Sequence, residues 1–140
     1  MSRTATVSTI VASIVAFSSP ALAASDEELA HSSDLMVGAF RCAIYAHLFN
    51  DLKEQQRLFQ IGLKAGRDLV EGMKSRNDSP MSEATKYLPG ASTDFLVGSM
   101  YDSETAKAYG EIPSEQRFHP SEDNTPAKAK YRESNCSLIK

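Results

Sequence analysis

Four stretches of the chain repeat apolar residues at helical spacing, and no stretch alternates apolar and polar residues as a half-buried strand would. The first opens at Ser25-Asp26-Glu27-Glu28. Ser25 can cap a helix there, and the acids suit the positive end of its dipole. Leu29, Met36, Phe40, Ala43 and His47 then form one stripe, with Leu35, Ala39, Cys42, Ala46 and Phe49 on an adjoining one. Asn50-Asp51 breaks the pattern. Asp51 and Glu54 have capping-box spacing, with Asp in place of Ser or Thr, which predicts a second helix from this point. It carries Leu58, Phe59, Ile61, Ala65, Leu69, Val70 and Met73 and ends near Arg76-Asn77.

Pro80, Pro89 and Gly90 mark residues 77–90 as a connection, with a short helical turn expected at 82–87. A third helix is predicted from about residues 91–93, capped by Ser92 or Thr93 and ended by Gly110 and Pro113. Its expected inward residues are Phe95, Leu96, Met100, Tyr101, Ala108 and Tyr109. Residues 111–125 read as a long polar surface loop. Thr125-Pro126 reads as a cap followed by proline at the first helical position, opening a last short helix to about Ser134. The expected fold is all-α, a compact four-helix arrangement. The first two helices form a hairpin, the third packs across it, and the C-terminal segment returns to the first.

Glycine sits inside these helices unusually often, at Gly38, Gly62, Gly66, Gly72 and Gly98. Each costs about 1 kcal/mol relative to alanine in a helix interior. Gly38, Gly62, Gly66 and Gly98 are therefore candidate points of close helix packing, or the floor of a groove that admits a ligand or partner.

The residues before the first cap change the picture of compartment. Arg3 is followed by an apolar run of about 11 residues, too short for the roughly 20 of a spanning helix. A Ser-Ser-Pro break and Ala21-Leu22-Ala23 come next. This is the layout of a secretory signal peptide, residues 1–23, leaving a single helical domain at 24–140. The expected location is periplasmic or secreted, with no membrane span in the mature form. An oxidising compartment favours pairing of the only two cysteines, Cys42 and Cys136. Closing a loop of that length restricts the unfolded chain by about 4–5 kcal/mol in the chain-entropy account.

Composition adds exclusions. In 140 residues the formal net charge is −3, and removing the leader takes away only one cation. That balance argues against a nucleic-acid partner, and Lys128, Lys130 and Arg132 form too small and too scattered a basic run to reverse it. His47, Asp51 and Glu54 approach a metal-ligand spacing, but the helix break at Asn50 spoils it, and no other zinc or redox motif is present. Ser99 lacks the second glycine of a nucleophile elbow. Asp102/Glu104 and Glu122/Asp123 read as solvated pairs, His31 and Asp34 as solvated residues near a helix start, and His119 as a loop residue. No cofactor is implied, and an enzyme is the least favoured reading. The leading expectation is binding to another envelope protein, as an inhibitor, immunity or accessory factor, with the acidic loop 111–123 meeting a basic partner. A small-ligand or lipid carrier and a structural envelope protein are the alternatives.

Overall fold

The computed structural model describes residues 24–76 and 90–140. The expected leader and the helical turn at 82–87 lie outside the described residues. The order is α1 (Asp26–Leu48), α2 (Leu52–Lys74), α3 (Thr93–Gly110), a 3-10 turn (Ser114–Gln116), α4 (Thr125–Glu133) and a second 3-10 turn (Cys136–Leu138).

The helix starts follow from local chemistry. Ser25 and Glu28 close a reciprocal capping box, each side chain bonding the other's backbone N–H. Between α1 and α2 the chain reverses through Asn50, which takes the left-handed conformation that asparagine tolerates better than most residues. Asp51 then accepts the Glu54 N–H at 3.0 Å and starts α2. Ser92 caps α3 in the same way. The fourth cap is Asn124 instead of Thr125. Its Oδ1 accepts the Ala127 N–H at 3.1 Å, while its Nδ2 donates to the Gln116 carbonyl. A buried amide serves both groups at once. The Thr125 hydroxyl cannot, and turns back to the Asp123 carbonyl.

α1 is the centre of the molecule. Every residue from 42 to 46 is buried, so all of its sides are covered there. α2 packs antiparallel along it, α3 runs beside it in the same direction, and α4 with the following tail returns along it. One half of the core gathers Met36 and Phe40 with Ala65, Leu69, Val70, Leu96 and Val97. The other gathers residues 42–46 and Leu48 with Leu58, Ala108, Ile112, Ala127 and Cys136. Phe59 and Tyr101 pack on both halves and close edge-on to each other with centroids 5.2 Å apart.

Cys42 and Cys136 are joined in a disulfide with Cα atoms 5.5 Å apart, both side chains buried. The bond ties the tail to the middle of α1. Of the six residues expected inward on α3, Leu96 and Ala108 are buried and Met100, Tyr101 and Tyr109 pack against the core, while Phe95 does not. Leu96, Val97, Glu104 and Ala108 are its buried residues, and Phe95 points outward. The inward face also takes in Val97 and Glu104, which the expected set left out.

Candidate functional site

Three polar braces cross between helices. Glu104 is only 4% exposed, contrary to its expected place on a solvated face. Its carboxylate accepts from Arg41 Nε of α1 at 2.7 Å and from Lys107 Nζ at 2.5 Å. Burial pushes this carboxyl up, but the Lys107 and Arg41 hydrogen bonds outweigh burial and hold it below the ordinary value of 4.5. A carboxyl depressed on folding stabilises the protein above its unfolded-state pKa, and that contribution is lost as pH falls through the folded value. Glu104→Gln should therefore lower stability at pH 7 by about 1–2 kcal/mol. It should also flatten the loss of stability below about pH 4.5, which denaturant titrations across the acid range will read.

The second brace joins α1 to the start of the loop and α4. The Tyr45 hydroxyl donates to Glu111 at 3.0 Å, and Lys130 lies 3.8 Å from the same carboxylate. Burial and the adjacent carboxylate push the Tyr45 phenol well up. The third brace holds the tail. Glu54 receives Arg57 through two N–H groups at 2.7 Å and also the Tyr131 hydroxyl. Arg57 Nη1 in turn donates to the Ile139 carbonyl at 2.6 Å. Burial first, then the hydrogen bond to Glu54, push Tyr131 up to about 12.

The four candidate glycines occupy different surroundings. A Cβ on Gly62 would stand 2.5 Å from the Phe40 ring, and one on Gly66 would stand 2.7 Å from Val97. Helix backbone and core side chains meet closely at both. A Cβ on Gly38 would meet Ile139 Cδ1 at an ordinary 3.6 Å, and one on Gly98 would have nothing within 4 Å. One on Gly72, not among the four, would stand 2.6 Å from Leu29.

The remaining chemistry-bearing residues do not converge. Asp51 is used as a cap, His31 lies on α1 beside a groove against α2, and Ser99 donates its hydroxyl to the Phe95 carbonyl. His119, Glu122 and Asp123 are exposed on the loop. Among the described residues no three His, Cys, Asp or Glu side chains are grouped to hold a metal ion. No helix among them is long and apolar enough to cross a membrane.

The loop between α3 and α4 is braced from within. Arg117 Nε donates to the Ile112 carbonyl at 2.5 Å, and its Nη2 to the Gly110 carbonyl at 3.3 Å. Ser121 N–H donates to the Leu48 carbonyl at the end of α1, and Asn124 holds Gln116. The loop nevertheless presents Phe118 outward, 75% exposed and stacked on Tyr109 with centroids 5.9 Å apart. Sequence polarity marked this segment as surface, but nothing in it signalled that Arg117 would turn inward. With Arg117 spent on backbone carbonyls, the exposed charges of the loop include Glu115, Glu122 and Asp123. Glu122 of the loop also lines an open cavity of about 580 Å³ with Phe49, Leu52, Lys53 and Lys128, Leu52 itself being exposed. No protein-family model matches this chain, and no curated protein or solved structure matches it.

Proposed function

We propose that this is an exported protein that acts by binding another protein through the loop between α3 and α4, as an inhibitor, immunity or accessory factor. The observation that carries the reading is Phe118, an exposed aromatic side chain on a loop already held in place by bonds to α1 and to itself. Ordering a loop at an interface costs affinity, and a braced loop has met that cost before it binds. Aromatic anchors entering a partner's pocket carry a large share of interface energy. The exposed acids of the same loop, Glu115, Glu122 and Asp123, suit a cationic partner, an arrangement that speeds encounter and weakens in salt. The buried disulfide and the leader-like residues 1–23 support export.

The test is paired capture from envelope extract at low salt with the wild-type protein and Phe118→Ser. The wild type should retain one stoichiometric protein and Phe118→Ser should lose it at least tenfold, with unchanged thermal unfolding. Equal retention by both proteins, or no stoichiometric partner at all, would overturn the reading.

A further inference from the structure

The surroundings of Phe118 restrict what can meet it. Tyr109 of α3 stacks on the ring, 18° from parallel, yet the ring remains 75% exposed. With one face backed in this way, a partner meets the opposite face and the rim. The groups that cover an aromatic face flat are a second ring and a planar guanidinium. Charge chooses between them. Glu115, Glu122 and Asp123 are exposed on the same loop. Arg117, the one lysine or arginine in residues 111–124, spends its N–H groups on the Ile112 and Gly110 carbonyls. Glu115 stands three positions before Phe118 and Glu122 four after it. Chain length alone therefore keeps their Cα atoms within roughly 11 and 14 Å of it.

Resting on the binding role proposed for this loop, we infer that the partner protein lays an arginine on the open face of Phe118, completing a stack of Tyr109, Phe118 and guanidinium. A guanidinium can lie flat on a ring while its edge donates in-plane hydrogen bonds to a carboxylate. Glu115 and Glu122, on either side of Phe118 in the sequence, are the acceptors the loop offers. A lysine ammonium has no flat face to lay on the ring. A neutral ring would cover Phe118 but leave the carboxylates without a counter-charge. The bonds that brace the loop, from Ser121 to Leu48, from Asn124 to Gln116 and from Arg117 to its two carbonyls, hold this segment before a partner arrives.

The probe is a displayed library of linear eight-residue peptides, panned on the wild-type protein and depleted on Phe118→Ser. The peptides that survive should share an arginine. Putting citrulline in its place, which keeps the shape and removes the charge, should weaken binding at least tenfold, and lysine at least threefold. Phe118→Trp should hold the arginine peptide within twofold of the wild type or tighter. Phe118→Leu, apolar but without a ring face, should weaken it at least fivefold, as should Glu115→Gln with Glu122→Gln at least threefold. All three side chains are exposed, so thermal unfolding of these variants should match the wild type. In proton spectra of the complex, the ring current should move the arginine δ-proton signals upfield. No surviving peptide, survivors without a common arginine, citrulline binding within twofold, or arginine signals that do not move would each overturn the inference, while the binding role of the loop stands on its envelope capture. If that capture yields no partner that depends on Phe118, the binding role falls and the arginine contact with it.

Discussion

Replacing both cysteines, Cys42→Ala with Cys136→Ala, should cost about 3–5 kcal/mol and lower the melting temperature by on the order of 15 °C. The loop closed by the bond has a sequence separation of 94, which corresponds to about 4.7 kcal/mol of restricted chain entropy in the unfolded state. The native state adds a smaller term. Both side chains are buried in the core cluster that also holds Ile44, Tyr45 and Ala127, and alanine leaves part of that volume empty. Against a total stability of about 5–15 kcal/mol, a loss of this size takes a large share. The tail should not simply fall away. The Tyr131 hydroxyl of α4 still donates to Glu54 of α2, and Arg57 of α2 still donates to the Ile139 carbonyl of the tail. Calorimetry and urea titration of the double variant will measure the effect, and a loss under 1 kcal/mol would contradict it.

The second large effect belongs to Gly62. Alanine there gains about 1 kcal/mol of helix propensity. It also sets a methyl 2.5 Å from a ring carbon of Phe40. That ring cannot step aside cheaply, because it is fully buried and packs on Phe59 at 5.9 Å and on Tyr101 at 5.0 Å. Overpacking a rigid core site costs about 3 kcal/mol at the upper end of the usual range. Gly62→Ala should therefore destabilise by about 2 kcal/mol net. Gly98→Ala is the reference. It has the same gain in propensity and nothing to displace, so it should stabilise by about 0.5–1 kcal/mol. Opposite signs for the same chemical change, read in parallel denaturant titrations, test the packing directly. Equal effects would refute it.

These two glycines show where the sequence was legible and where it stopped. Backbone polar groups must be satisfied locally at helix ends, so Ser25, Asp51 and Ser92 announced their helices before any tertiary contact was considered. The burial of α1 was legible too, through its two adjoining apolar stripes. Gly62 and Gly98 look alike in the chain, because what distinguishes them is a ring supplied by another helix. Glu104 fails for the same reason. Its burial is made possible by Arg41, 63 positions away. Phe95 and Val97 are both apolar and two positions apart, and helical period alone did not say that Val97 turns inward and Phe95 outward. In the candidate sites, the acidity of the loop and the glycine at position 38 were visible. The inward turn of Arg117 and the tail lying over Gly38 were not, being consequences of chain return.

The position of α1 also bears on the order of synthesis. A chain delivered from its N-terminus brings out α1 well before its last cover, α4 and the tail. Until then only α2, and later α3, can shield residues 42–46, and the Cys42 thiol has no partner within the chain. The early hairpin is therefore an unfinished surface that depends on a chaperone or on speed to escape aggregation. With one other cysteine in the sequence, an unpaired Cys42 cannot mispair internally while it waits, and the bond can close only once the segment that carries Cys136 has arrived.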